Sequence, residues 1–506
     1  MSSDLNRRSF LTTAASTAAA FTIVPRNVLG GAGYVAPSDK LTVAYIGLGT
    51  QGIRELLPML KNDRIQVVAA CDPNRRSNNY VDWDKFGLRD DVRKFLGKSD
   101  WLEGMDGIWG GREIGRQIVE TYYATKRASD NYKGCASFAD FRELLEKQKD
   151  LDAVKIMTPD HLHATIAIAA MKKGKHVTMH KPIANRLDEA RKVIETARQT
   201  KVATHFIPWD YQGSMDQVMQ WIKGGAIGKL RAVHNWSNRP VWPQYQTLPQ
   251  ERPPVPEGLD WDRWLGPATD RPYSPQYTNA VFRGWYDFGG GSIADMGHYS
   301  LWVVFRTLKL GAPVSVEATI SSACTLVDQV STKIKNDYSF PLASTIRFKF
   351  PARAEFGPVD LWWHDGGMKP PTPEELYEDN QELTPEGMMF VGDKGKILAG
   401  FHIDEPHLIP EKKMKAHKGQ KPTPRSDNDR DEQRGLNAWV AACRGGKEDE
   451  ASFLHAGPIS EAFNLGAIAC RVGGKRLEWD AQNMKITNVP DANKYLVREY
   501  RKGWEL

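Results

Sequence analysis

Leu41 to Gly52 reads LTVAYIGLGTQG, an apolar, strand-like run that feeds straight into a GxGxxG turn at Gly47, Gly49 and Gly52. The three glycines do different things. One turns the chain sharply, one lets backbone N–H groups approach a pyrophosphate, and one packs helix on strand. The helix that opens at Thr50 and Gln51 offers its N-terminal N–H groups and macrodipole to the phosphates. A second strand-like run, IQVVAACD, ends on Asp72, about twenty residues further on, where an acid binds a ribose 2′-hydroxyl. Arg75 and Arg76 follow closely and suit a 2′-phosphate instead, so NAD is the expected cofactor and NADP the alternative.

The same rhythm continues. A polar segment over about 74–134, longer than an ordinary connection, reads as a helical insertion. Beyond it, Phe138 to Lys147 is expected to be helical, LDAVKIMTP to be a buried strand, and His163 to Lys173 to be a helix closed at Gly174. The strand HVTMH, an amphipathic helix through LDEARKVIETARQT and the strand VATHFI complete a βαβ series, which predicts a doubly wound parallel sheet over 38–208. From 209 to 506 the pattern changes to β-rich runs such as LRAVHNWSN, STIRFKF and VDLWWHD, with helices late in the chain and a closing LEWD turn. The fold class is therefore α/β: an N-terminal Rossmann domain and a C-terminal α+β domain with a large open, mostly antiparallel sheet.

With 506 residues, 41% hydrophobic and 26% charged, the chain is long enough for two domains. A net charge of +6 with interleaved signs gives no footprint for nucleic acid. At the N-terminus, Asn6-Arg7-Arg8-Ser9-Phe10-Leu11 precedes an Ala/Thr-rich apolar stretch ending near Pro25 and Arg26. This reads as a twin-arginine signal over 1–33, implying export to the periplasm after folding and no stable membrane insertion once processed. The cofactor would then be loaded before export and retained. Cys71, Cys135, Cys324, Cys443 and Cys470 are odd in number and irregularly spaced, which argues against disulfides or a CxxC metal site.

Three groups of chemically active residues fall at strand ends, where open α/β sheets bind ligands. They are Thr158-Pro159-Asp160-His161-Leu162-His163, Met179-His180-Lys181-Pro182, and GGGSIADMGHY over Gly289 to Tyr299. In the last, Asp295 and Tyr299 stand at i and i+4 on one helix face with His298 beside them. His161 and His163 at i, i+2 make a poor zinc pattern, so no metal is expected. Trp285, Trp362, Trp363, His364 and Asp365 are candidate sugar contacts, with core packing the equal alternative for each tryptophan.

In this order of motifs, from Lys40 to about Asp480, the chain resembles the glucose-fructose oxidoreductase and inositol dehydrogenase family, Gfo/Idh/MocA. The family's usual Glu before Lys-Pro is His180 here, and its frequent histidine after the aspartate is Tyr299, with His298 one place earlier. The resemblance implies hydride transfer between nicotinamide and a sugar, polyol or glycoside hydroxyl. It implies that Lys181 orients and deprotonates that hydroxyl, that Tyr299 or His298 relays the proton, and that Asp295 orients the relay. Gly47, Gly49, Thr50, Gln51, Gly52, Asp72, Thr158, Pro159, His161, His163 and Lys181 would line the cofactor. A homo-oligomer is implied as well. Two other readings stand beside the oxidoreductase: an NAD-dependent glycoside hydrolase acting by transient oxidation and elimination, and a non-catalytic sugar-binding protein.

Overall fold

The computed structural model describes residues 39–127, 132–206, 214–353, 355–417 and 432–506. The signal read at 1–33 lies outside the described residues.

Six parallel strands make the first sheet: β1 (Leu41–Ile46), β2 (Ile65–Cys71), β3 (Ala136–Phe138), β4 (Ala153–Ile156), β5 (His176–Met179) and β6 (Thr204–Phe206). Their order is β3-β2-β1-β4-β5-β6, so the chain reverses direction across the sheet between β1 and β4. That reversal opens a crevice at the C-terminal strand ends. The runs are apolar throughout because helices cover both faces; Val43, Ala44 and Tyr45 are fully buried. Among the helices are α1 (Thr50–Lys61), α2 (Gly87–Leu96), α3 (Arg112–Lys126), α4 (Phe141–Lys147), α5 (His163–Lys172) and α6 (Leu187–Thr200). Helix α4 starts later than expected because Asp140 caps it by accepting from Arg142 N, and Phe138 belongs to β3.

The insertion between β2 and β3 carries α2 and α3, and α3 is tied to the sheet where Val67 N donates to Tyr123 OH at 2.9 Å. Its first stretch, 77–83, runs along the crevice, bridging at Ser77–Gly110 and Asn79–Ile108.

Helix α7 (Met215–Lys223) leads into a second sheet of nine strands, ordered β15-β14-β13-β7-β12-β11-β8-β16-β17. These are β7 (Leu230–Trp236), β8 (Ser315–Ile320), β11 (Ser344–Phe350), β12 (Val359–His364), β13 (Gly387–Gly392), β14 (Lys396–Ala399), β15 (His407–Ile409), β16 (Leu477–Asp480) and β17 (Lys485–Ile486). Among the described residues of this sheet only β12 and β7 pair in parallel. STIRFKF shows the logic of an open sheet: Ile346, Phe348 and Phe350 are buried while Arg347 and Lys349 face outward. LEWD is strand β16 rather than a turn, with Trp479 buried and Glu478 half-buried. Strands β9 (Cys324–Val327) and β10 (Val330–Lys333) form a separate exposed hairpin.

Helices α8 (His298–Thr307) and α10 (Gly457–Val472) fill the space between the two sheets, while α9 (Glu432–Cys443) returns to the first domain. Leu436, Trp439 and Val440 of α9 share one core cluster with Leu56, Met59 and Leu60 of α1. Asn62 Nδ2 donates to Gln433 and Asn437 across this seam. The late part of the chain thus crosses the division expected at 208/209.

Candidate active site at the switch point

One cavity of about 350 Å³ runs from the glycine turn to the GGG helix. Its floor is Gly47, Gly49, Thr50, Gln51 and Gly52, with Asp72 at one side and Thr158 and Pro159 at the other. Gly47 takes φ +97°, and a Cβ there would lie 2.5 Å from Met157 C. A Cβ on Gly52 would meet Gly47 O at 2.3 Å, so the turn can close only on glycine. Helix α1 begins with no side-chain cap and no acidic residue in its first turn, which leaves its positive end to a ligand anion. Thr158 lines the same space, and its Oγ1 is buried with no hydrogen-bond partner among the described residues. These features fit a dinucleotide.

Asp72 is fixed by Leu48 N, which donates to Oδ2 at 2.7 Å, and by Asn74 N, which donates to Oδ1 at 2.8 Å. Burial pushes its carboxyl up to about 6, against the pull of those two N–H groups. Arg75 and Arg76 do not line the cavity; the Arg76 guanidinium stacks on the Trp109 ring at 4.6 Å. The side where a 2′-phosphate would sit therefore offers a carboxylate.

At the other end lie His180, Lys181, Asp295 and Tyr299. Lys181 Nζ donates to Asp295 Oδ1, and Arg283 Nε approaches the same oxygen at 2.9 Å. Burial pushes the Asp295 carboxyl up, but Lys181 and Arg283 together outweigh it and hold the group at about 2. Burial also pulls Lys181 below the ordinary lysine range, with Asp295 opposing and Arg283 assisting. Tyr299 OH lies 2.5 Å from His180 Nε2, and Lys181 Nζ sits 5.0 Å from the centre of the Tyr299 ring. Burial, then the charges of Lys181, Lys155 and Arg283, drive His180 well below the ordinary histidine range, so it is neutral.

The GGG turn makes this convergence possible. A Cβ on Gly289 would strike Arg283 Cα at 2.5 Å, and Gly290 N donates to Asp160 Oδ2 at 3.0 Å, locking the turn to the end of β4. The following turn, Ile293–Gly297, is a π-helix. Such a turn holds more residues than an α-turn, so the residue at i+4 comes nearly above residue i while that at i+3 falls behind. Tyr299 therefore shares the cavity face with Asp295, and His298 does not. His298 lies between Phe206 and Phe463 with Nδ1 2.8 Å from Ala294 O, away from the main cavity.

Several other expected residues are also elsewhere. His161 is fully buried, its Nε2 2.9 Å from Trp264 O. His163 spans Pro182 O at 2.6 Å and Thr158 O at 2.9 Å, so it holds the two cavity loops together from behind. Trp285 is 1% exposed and packs against Tyr245, Tyr277 and Tyr338 as core. His364 sits on the second sheet beside His234, and Asp365 accepts from Ser344 N and Trp363 Nε1; neither lines the cavity. Asp295 Oδ1 is contacted by Lys181 Nζ and Arg283 Nε. The sequence reading missed Arg283, Asp160 and the pairing of His180 with Tyr299, although Asp160 and Arg283 lie in or beside the motifs quoted above. Among the described residues no cluster of His, Cys, Asp and Glu is arranged to hold a metal.

Residues 115–206 match the oxidoreductase family with an NAD-binding Rossmann fold, Gfo/Idh/MocA, and residues 217–346 match the same family's C-terminal alpha/beta domain. Both segments are thus similar to the Gfo/Idh/MocA oxidoreductase family. Among relatives, a levoglucosan dehydrogenase from Pseudarthrobacter phenanthrenivorans is 34% identical over 114 residues, covering 21% of this chain and 29% of that protein. A glycosyl hydrolase family 109 protein from Shewanella pealeana is 28% identical over 241 residues, or 45% of this chain and 44% of that protein. The chain thus spans less than half the length of either relative. The solved WlbA dehydrogenase from Bordetella pertussis, in complex with NADH and UDP-GlcNAcA, aligns with TM-score 0.49 and 16% identity over 87% of this chain and 99% of that one.

Proposed function

We propose that the protein is an exported oxidoreductase that moves hydride between a retained nicotinamide cofactor and a sugar, polyol or glycoside hydroxyl. The observation that carries this reading is the meeting of Lys181, Asp295 and Tyr299 in the one cavity that also contains the glycine turn and Asp72. Gly47 to Gly52 and Asp72 would hold NAD, which would supply the hydride acceptor.

Oxidising an alcohol requires a base for its proton while hydride leaves the carbon. Lys181, held by Asp295, orients the hydroxyl, and burial, which lowers its pKa, makes accessible the neutral amine form that takes the proton. Tyr299, with its ring 5.0 Å from the amine, relays it. Arg283 keeps Asp295 ionised, so the lysine stays aimed through a full catalytic cycle.

A second reading is supported by the likeness to glycosyl hydrolase family 109 proteins. Transient oxidation acidifies a neighbouring C–H, elimination expels the aglycone, water adds, and the hydride returns. Incubation with an aryl glycoside separates the two. A keto-glycoside with matching NADH supports the dehydrogenase, phenol without net NADH supports the hydrolase, and neither product from a broad panel of sugars and glycosides overturns both.

Export rests on Arg7 and Arg8, and replacing both with lysine should leave the protein in the cytoplasm. Self-association is part of the same reading, checked by gel filtration.

A further inference from the structure

The contact between Tyr299 and His180 has no part in the proton transfer just described, yet it brings the phenol oxygen and an imidazole nitrogen to 2.5 Å inside the cavity. We infer that His180 is a transient proton acceptor of the site, taking the phenolic proton of Tyr299 when the substrate's proton arrives and giving it back. This rests on the oxidoreductase reading.

The chemistry balances without another reagent. A bound nicotinamide would take the substrate's hydride, and the hydroxyl proton passes to Lys181 in its neutral amine form. The ammonium then gives a proton to the Tyr299 oxygen as that oxygen gives its own to His180 Nε2. Lysine returns to the amine, tyrosine remains a phenol, and the imidazole becomes an imidazolium. In the reverse direction the same protons run back to the nascent alkoxide.

The surroundings suit a loan rather than a deposit. His180 is 5% exposed. Lys181 adjoins it in sequence, Lys155 acts on it from β4, Arg283 from the segment ahead of the GGG turn, and His163 from α5. Of the carboxylates beside these groups, Asp295 is occupied by Lys181 and Arg283, Asp160 by Gly290 N, and Glu55 by Lys155 at 3.6 Å. An imidazolium there is therefore high in energy and releases its proton readily. A neutral imidazole that accepts at Nε2 must carry its own proton on Nδ1, which fixes the tautomer.

The tautomer and the turnover give separate tests. In protein labelled with 15N-histidine, the resonance lost in His180→Gln should show an unprotonated Nε2 and a protonated Nδ1, and its Nε2 should move in Tyr299→Phe. In steady-state assays His180→Gln should lower kcat about 100-fold or more, leave KM and NAD binding within about twofold, and abolish the difference between wild type and Tyr299→Phe. An Nε2–H tautomer, or an Nε2 signal indifferent to Tyr299→Phe, overturns the inference, as does an unchanged kcat in His180→Gln. If no sugar or glycoside is turned over while the tautomer and its response to Tyr299→Phe are as expected, the oxidoreductase reading falls and the hydrogen-bonded pair stands without its catalytic role.

Discussion

Lys181 and Asp295 are 114 residues apart in sequence and meet as a buried ion pair between the two domains, with side chains 3% and 9% exposed. One comes from the end of β5 and the other from the π-turn before α8, so the pair exists only when both sheets are in place. Its integrity therefore reports on folding and catalysis together.

Removing the carboxylate leaves Lys181 and Arg283 facing each other without a counter-charge. Asp295→Ala should lower stability by roughly 3–5 kcal/mol, read as a shift of the urea midpoint at neutral pH. Asp295→Asn keeps the shape and should cost less. Equal midpoints for Ala and wild type would show that the pair contributes nothing to the fold.

The same group sets an acid limb. Its folded pKa, about 2, lies below the ordinary 3.8, so its stabilising contribution is complete above about 4 and is lost as pH falls toward 2. The stability gap between wild type and Asp295→Asn should accordingly shrink from pH 5 to pH 3. A constant gap over that interval would contradict the assignment.

Turnover should depend on the amine. Lys181→Ala is expected to lower kcat by about 10²–10⁴-fold while nucleotide binding, followed by NADH fluorescence, persists. Unchanged turnover on every substrate class would remove Lys181 from the mechanism.

Cofactor choice is written at Asp72. Because burial raises its carboxyl to about 6, the ionised form that accepts ribose hydroxyls is depleted below that pH, and NAD affinity should fall between pH 7 and pH 5. Asp72→Asn should flatten that profile and narrow the preference for NAD over NADP, measured by titration calorimetry with both nucleotides.

The glycine turn admits a steric test. Gly52→Ala places a Cβ 2.3 Å from the backbone oxygen of Gly47, so the turn must move. A loss of about 1–3 kcal/mol and an absence of nucleotide in the supernatant after denaturing the purified variant are the expected results.

Much of this was legible in the residues. The glycines, Asp72, Lys181 and Asp295 announce themselves because each depends on local spacing at a strand end, and the parallel sheet follows from apolar runs separated by amphipathic helices. What escaped were relationships that local spacing does not encode. The choice of Tyr299 over His298 hangs on a π-turn, and an α-helical wheel places both near Asp295. Trp285 looks like a sugar platform in sequence, but nearby Tyr277 and, from more distant loops, Tyr245 and Tyr338 enclose it. LEWD reads as a turn because only its pairing with β8 and β17 makes it a strand.

The seam between α1 and α9 bears on the order in which the chain matures. Trp439, with no exposed surface, seats on the helix that opens the glycine turn, and Phe206 N donates to Ala451 O at 2.8 Å at the far edge of the same sheet. An emerging polypeptide that stops at residue 208 lacks both supports, so the nucleotide-holding half is finished by segments that leave the ribosome last. Loading of the dinucleotide is then a late event in biogenesis, and a shortened gene product should be degraded rather than trapped holding coenzyme.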